Sequence, residues 1–328
     1  MKPGLVALDW GTTACRAYLL DDTGTVLARR TSQDGVAAIS RRAIVDGHSR
    51  ERAFEDALVL LCGDWLARTP GLPVIASGMV GSDQGWQHTP YLPLPIDLAR
   101  DDVPLTAVRT RIADVHLLPG VTSSRESLTE VARGEETQAL GTLLQIHPAA
   151  DEETVLVLPG THSKWLRARG TRLTSLATAL TGELYAALLA HTVLGHGVCA
   201  PQAPSWSAFD RGLDVAWGHQ VEGTVLTLFS ARALVVTGKM PAGDAPDYLS
   251  GLLVGAEIAG VARAELSSPH VRPVVVGEPH LQERYVRALT RYGTQARLVN
   301  DDVAAGGLHH VAVRVGLVSS PTPAGALP

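Results

Sequence analysis

The chain has 328 residues, 45% hydrophobic and 19% charged, with a formal net charge of −5 at pH 7. This balance excludes a disordered chain, offers no electrostatic footprint for nucleic acid, and shows no polybasic patch for a membrane surface. The length suits about two domains. Three cysteines, Cys15, Cys62 and Cys199, lie far apart without CxxC spacing. They fit free thiols in a reducing compartment better than a disulfide frame or a zinc site. The start, Met1-Lys2-Pro3-Gly4, runs into a strand pattern with no signal-peptide character, so a cytoplasmic location is expected. The longest apolar stretches, such as residues 251–262 with Glu257 inside, are too short to span a bilayer.

In chain order, residues 4–8 form an apolar run that ends in Asp9, followed by Trp10, Gly11, Thr12 and Thr13. Two further strand patterns follow, at 17–20 and 25–28, across a turn at Asp21-Asp22-Thr23-Gly24. A strand that delivers a carboxylate into a glycine turn suits a metal–phosphate group. Asp9 supplies the hard oxygen that Mg²⁺ prefers, Gly11 lets a ligand approach the backbone, and Thr12 and Thr13 offer hydroxyl and N–H donors. An ordinary capped hairpin is the competing reading of the same residues. Residues 29–50 read as a polar, arginine-rich linker. Phe54, Leu58, Leu61 and Trp65 then fall at helical spacing. Residues 73–76 are a short buried strand. It empties into Ser77-Gly78-Met79-Val80-Gly81-Ser82, then Gly85-Trp86 and the proline-rich run 89–95 containing Tyr91. Glycine followed by repeated proline predicts an ordered loop, of the kind that lines binding sites.

Residues 115–118 read as a strand, and a polar segment with Arg125 and Glu126 follows. Arg133-Gly134-Glu135-Glu136 then opens a helix. Two acids at a helix start also suit the helix dipole, and that is the plain explanation of the pair. Residues 155–158 form a strand that empties into Pro159-Gly160-Thr161-His162-Ser163-Lys164, with two more strands at 164–167 and 172–176. Leu180, Leu184 and Leu188 mark one face of a helix. Another helix spans about 247–264, with Gly251, Gly255 and Gly260 allowing close packing. Residues 273–277 form a strand ending at Gly277, 281–292 a helix, 296–299 a strand and 308–317 a closing helix, before a Pro/Ala/Ser-rich tail at 319–328 expected to be disordered.

A unit of strand, glycine turn, strand, turn and strand thus occurs twice, at 5–28 and 155–176, with Gly-Thr at the first turn each time. This duplication predicts two similar α/β halves meeting near 146–153. If both turns face a common cleft, they clamp the phosphates of one nucleotide, with Gly277 near the adenosine. The twelve histidines carry no HxxxH or HExxH pattern, so the Mg²⁺ that travels with the nucleotide is the only metal expected.

Taken together, the motifs at 9–13, 78–82 with 85–86, 90–95, 133–138, 158–165 and 180–184 resemble the 2-dehydro-3-deoxygalactonokinase family of the actin/hexokinase/Hsp70 superfamily. The resemblance covers most of residues 4–318. It implies an α/β fold of two actin/ribonuclease H-like domains flanking an ATP cleft: residues 1–148 with the sugar loop and 149–318 with the nucleotide site. It implies ATP-dependent phosphorylation of the 6-hydroxyl of 2-dehydro-3-deoxy-D-galactonate. It also places the catalytic base at the acid pair, Glu135 or Glu136, because related sugar kinases hold an Asp at that helix start. Phosphate contacts are expected from Gly11, Thr12, Thr13, Gly160, Thr161 and His162. The substrate carboxylate calls for a cation, for which Arg16, Arg125 and Lys164 stay open. Ser77, Gly78, Met79, Val80, Gly81, Ser82, Trp86 and Tyr91 are expected to wall the sugar. Trp10 and Trp165 read as packing residues. Partners are a small-molecule acid sugar and no nucleic acid or membrane, with homodimer formation open. A kinase for another acid sugar or hexose, a non-kinase actin-like ATPase, and a sugar-responsive regulator are the competing classes. A panel of sugars with ATP separates them.

Overall fold

The computed structural model describes residues 2–125, 127–197, 203–265, 272–299 and 302–319, with the backbone alone for Arg125 and residues 262–265. Cys199 and, apart from Ser319, the tail expected at 319–328 lie outside the described residues. The chain divides into two compact units: Met1–Glu152, Ala168–Leu176 and Asp301–Pro328 in the first, Glu153–Arg167 and Ala177–Asn300 in the second. A single cut at 148/149 therefore does not describe the division, because the last helix and one hairpin tip count with the first unit.

The first unit opens with β1 (Pro3–Trp10), β2 (Cys15–Asp21) and β3 (Val26–Ser32), paired antiparallel in sequence. Leu5 to Leu8 are fully buried, as an unbroken apolar run in a central strand requires. Next come α1 (Val36–Asp46) and α2 (Arg50–Arg68). The linker expected at 29–50 is instead the end of β3 and all of α1. Val36, Ile39 and Ala43 bury one narrow stripe, which the surrounding arginines and serine obscure in the sequence. In α2 the Ser49 side chain accepts from the Arg52 N–H at 3.3 Å, and the predicted stripe of Phe54, Leu58, Leu61 and Trp65 is buried. Then follow β4 (Val74–Ser77), a 3-10 turn at Met79–Gly81, β5 (Tyr91–Pro93), β6 (Thr106–Arg109), β7 (Asp114–Leu117), β8 (Gly120–Arg125), β9 (Leu128–Ala132) and α3 (Glu135–Ile146). The polar segment around Arg125 is a β8–β9 hairpin; its Ser and Thr residues hide the alternation that would announce strands. One six-stranded sheet runs β3-β2-β1-β4-β7-β6 and a three-stranded sheet runs β5-β8-β9.

In the second unit, β10 (Glu153–Leu158), β11 (Ser163–Arg169) and β12 (Arg172–Ala179) lead into α4 (Thr181–His191). Then come α5 (Trp206–Gly218), α6 (Gly223–Thr227), α7 (Ser230–Val236), α8 (Ala245–Glu265), β13 (Val274–Val276), α9 (Pro279–Arg291) and β14 (Arg297–Val299). The final helix, α10 (Val303–Arg314), belongs to the first unit and packs on α3. The sheet order β12-β11-β10-β13-β14 repeats β3-β2-β1-β4-β7 of the first unit, strand for strand. The duplication read from two glycine turns is thus a duplication of topology.

A further expectation changes. No residue of α4 is buried, and Leu180 is 59% exposed; apolar residues all round that helix do not select one face. The sequence pattern also does not announce α5 to α7. Cys15 and Cys62 are free and buried, and burial pushes the Cys62 thiol up to about 12. Among the described residues, no helix is long and apolar enough to cross a membrane.

Glycine sets the closest helix contacts. A Cβ on Gly141 of α3 would lie 1.8 Å from the Val303 carbonyl oxygen, and one on Gly307 of α10 would lie 2.2 Å from the Thr137 carbonyl oxygen. Gly212 of α5 and Gly251 of α8 press on each other's helix in the same way, at 2.2 and 2.0 Å. Gly255 is similarly tight, whereas Gly260 faces open space. Gly141→Val should destabilise the first unit by at least about 1–3 kcal/mol, the usual cost of overpacking, as read by chemical denaturation; Gly260→Val should fall within about 1 kcal/mol of wild type.

Candidate active site

β1 carries Asp9 to the carboxyl end of the sheet, where parallel β4 sets Ser77 opposite it in register. Asp9 is 8% exposed. The Gln138 Nε2 amide donates to its Oδ2 at 3.2 Å, and Arg16 Nη1 stands 3.7 Å from the same oxygen. The hairpin turn after Trp10 closes with the Gly11 N–H donating to the Ala14 carbonyl at 2.9 Å. The Gly11 and Thr12 carbonyls accept from the Val36 and Ala37 N–H groups at 3.0 and 3.1 Å, so the turn is anchored on the start of α1. Gly35 permits this approach: a Cβ there would lie 2.3 Å from the Thr13 carbonyl carbon. Thr12 and Thr13 remain exposed. Above Gly11 a Cβ would meet only the Ala14 oxygen, at 3.5 Å, so packing does not demand glycine there and the space is open to a ligand.

The loop after β4 divides into core and surface. Trp86 is 4% exposed and stacks on Phe54 at 5.7 Å, with both rings edge-on to Trp10; Val80 is fully buried in the same cluster. These two expected sugar-wall residues are therefore core residues that support the Asp9 turn. Trp10 and Trp165 are buried, as packing residues should be. Ser82 Oγ donates to the Met79 carbonyl at 2.7 Å, and Gly81 is buried. Among the described residues, Ser77 Oγ is the buried side-chain atom that has no hydrogen-bond partner. An unpartnered hydroxyl beside Asp9 is a group a ligand can satisfy.

The acid pair starts α3. Glu135 Oε2 accepts from the Arg133 N–H at 2.9 Å. Glu136 Oε2 accepts from the Gly134 N–H at 2.6 Å, and its Oε1 accepts from Thr137 Oγ1 at 3.0 Å. Glu136 is 1% exposed; burial, and then the Glu135 charge, push its carboxyl up to about 8. Glu135 is half-buried. Backbone contacts draw this helix start to the strand ends. A Cβ on Gly134 would lie 3.0 Å from the Gly78 Cα, and one on Gly78 would lie 2.6 Å from the Trp10 carbonyl oxygen. Both glycines also hold positive φ, +107° and +98°. Asp9, Arg16, Ser77, Gly78, Glu135 and Glu136 are thereby gathered in the first unit.

In the second unit, β10 ends in the second turn, Pro159-Gly160-Thr161-His162. A Cβ on Gly160 would meet nothing within 4 Å, so this glycine too borders open space. The turn rests on the start of α4: the Glu183 N–H donates to the Thr161 carbonyl at 2.9 Å, and His162 Nε2 lies 2.5 Å from Glu183 Oε2. Beneath it, buried Glu257 accepts from Trp165 Nε1 at 2.7 Å, from Tyr285 OH at 2.6 Å and from Thr181 Oγ1. Burial raises the Glu257 carboxyl above its ordinary range. Gly277 follows β13 beside Pro159 at φ +138°, a conformation that favours glycine. Lys164 is buried in this unit and donates to Thr178 Oγ1 at 3.1 Å. Arg125 ends β8, and its side chain lies outside the described residues. Sequence reasoning missed Gly35, Gln138 and Glu257. Of these, Gln138 carried a signal, one helical turn beyond Glu135.

Two α/β units with one strand order, each ending its first strand in an open Gly-Thr turn, make the actin/ribonuclease H-like fold. A family model described as 2-keto-3-deoxy-galactonokinase matches residues 9–311. The chain is 34% identical to the 2-dehydro-3-deoxygalactonokinase of Escherichia coli (strain K12), over 93% of this chain and 95% of that one. It is 33% identical to a probable 2-dehydro-3-deoxygalactonokinase of Rhizobium meliloti (strain 1021), over 91% and 92%. A crystal structure of a candidate 2-dehydro-3-deoxygalactonokinase from Sinorhizobium meliloti superposes with a TM-score of 0.78 at 32% identity, covering 95% of this chain and 99% of that one. The chain belongs to the 2-keto-3-deoxy-galactonokinase family, and as a member of a kinase family it uses ATP.

The buried Glu136 makes stability depend on pH. Its carboxyl titrates near 8 in the fold and near 4.5 when unfolded, so between these values only the folded state keeps the proton. Its contribution is fully present below about pH 4.5 and is lost as pH rises through about 8. Denaturation at pH 5.5, 7 and 8.5 should show stability falling by a few kcal/mol in total, on the order of 1.4 kcal/mol per pH unit, and Glu136→Gln should flatten that fall.

Proposed function

We propose that this chain transfers the γ-phosphoryl group of ATP to the 6-hydroxyl of 2-dehydro-3-deoxy-D-galactonate, with Glu135 as the base. The observation that carries the reading is the unequal environment of the acid pair beside Asp9. Glu136 is enclosed, and burial together with the Glu135 charge pushes its carboxyl up to about 8, which favours its protonated form at neutral pH. Half-buried Glu135 stands next to it at the helix start, oriented by the Arg133 N–H. Proton acceptance by a positioned carboxylate is what an alcohol acceptor needs in phosphoryl transfer.

Asp9 fits Mg²⁺. It is a single carboxylate at a strand end, and Mg²⁺ keeps waters and phosphate oxygens for its remaining positions. Bound with ATP, the ion supplies charge neutralisation at the phosphates. Gly11, Thr12 and Thr13 in the first unit, and Gly160, Thr161 and His162 in the second, offer phosphate-binding N–H, hydroxyl and imidazole groups. Gly277 borders the nucleotide. The sugar is held by Ser77, Gly78, Met79, Gly81, Ser82 and Tyr91 in the first unit, and the unpartnered Ser77 hydroxyl supports this. The enzyme works in the cytoplasm, and light scattering decides between a monomer and a homodimer.

In a coupled ADP-release assay, Glu135→Gln should lower kcat by about 10²–10⁴-fold while ATP affinity stays near wild type. Near-normal turnover would remove Glu135 from the role of base. Offering the gluconate epimer beside the galactonate substrate tests the stereochemistry, and equal rates would reassign the enzyme to a broader acid-sugar class. Asp9→Asn should raise the Mg²⁺ concentration needed for half-maximal activity; an unchanged requirement would remove Asp9 from the metal site.

A further inference from the structure

We propose that Arg133 receives the substrate carboxylate and thereby selects an acid sugar over a neutral one. The inference rests on the kinase reading above and names the specificity residue of that same site.

Arg133 lies between β9 and α3, directly before Gly134 and the acid pair. It is 6% exposed, yet the partners of its guanidinium are all neutral. Its Nε donates to Tyr91 OH at 3.4 Å, its Nη2 donates to the Thr89 carbonyl at 2.8 Å, and its Nη1 donates to Thr89 Oγ1. The guanidinium carbon sits 4.2 Å from the centre of the Tyr91 ring. These bonds use three of the five N–H groups of a guanidinium and leave two. Among the described residues no carboxylate pairs with it. Buried charge is ordinarily paired, because removing it from water is costly. Arg284, a less deeply covered arginine, obeys that rule with Asp247 at 2.5 Å.

The position suits a ligand. A Cβ on Gly81 would lie 2.9 Å from Arg133 Nη1, so the cation lies against the loop that follows β4. Tyr91, which covers the guanidinium, is 37% exposed and reaches solvent. The Arg133 N–H holds Glu135, so the cation and the base share one short segment. The other cations differ: Arg16 is 3.7 Å from the Asp9 carboxylate, and Lys164 is bonded to Thr178 in the second unit. A planar fork with two free donors and an aromatic cover matches a carboxylate in geometry and charge.

The test compares kcat/KM for 2-dehydro-3-deoxy-galactonate and for its neutral primary amide. Wild type should prefer the acid by at least about 100-fold, as expected when a buried polar site loses its partner. Arg133→Gln should lower kcat/KM for the acid by about 100-fold or more and for the amide by less than about three-fold, so the preference collapses. An equal fall on both substrates would overturn the proposal and make Arg133 a staple of the loop. If Arg133→Gln does not fold, Arg133→Lys decides: it keeps the charge without the fork and should narrow the preference by about ten-fold, whereas an unchanged preference overturns the proposal. Absence of ADP release by wild type on the acid overturns the kinase reading itself, visibly and before any variant is made.

Discussion

The first unit depends on a contact made without side chains. The Trp10 carbonyl, Gly78 and Gly134 meet at backbone distance, so the ends of β1 and β4 and the start of α3 converge. A Cβ at Gly78 would force them apart, and one at Gly134 would press on the Gly78 Cα. The polar and charged residues of the candidate site are the immediate neighbours of these three points: Asp9 before Trp10, Ser77 before Gly78, Arg133 before Gly134 and the acid pair after it. The Gln138 amide, one turn into the helix, closes the arrangement on Asp9.

Convergence of this kind makes adjacent identical residues different. Glu135 and Glu136 have the same side chain and consecutive positions, but one is half-buried and the other enclosed. Enclosure removes the solvation that a carboxylate needs, and the charge of the neighbour adds to the cost. One of the pair is therefore held neutral while accepting local hydrogen bonds, and the other keeps contact with solvent. The same physics makes Arg133 stand out. It is a cation nearly as enclosed as Glu136, and its guanidinium is met by neutral partners.

The second unit repeats the strand order and the open glycine turn but supports the turn differently. Where the first turn is anchored by backbone bonds to α1 and an aromatic cluster beneath, the second sits on α4, braced by Glu257 and its hydroxyl and indole donors. A buried carboxyl satisfied by three donors holds β11, α4, α8 and α9 in one geometry. Similar backbones at the ligand face are thus compatible with unrelated packing behind them.

The sequence by itself determined the duplicated α/β plan, the two Gly-Thr turns, the family, and most strands and helices. These features follow from local apolar periodicity, from glycine at turns, and from motif spacing, all of which act within a few residues. Tertiary structure alone decided the rest. Val80 and Trp86 became core because Phe54, thirty-two residues before Trp86, offered a ring to stack on. α1 and the β8–β9 hairpin were obscured because their buried stripes are short and their polar residues many. Arg133, quoted only as the head of a motif, emerged as a buried cation through its partners at Thr89 and Tyr91, more than forty residues away. Burial and partnership between distant residues are properties of the packed molecule, and they are what distinguish a reactive side chain from a structural one of the same type.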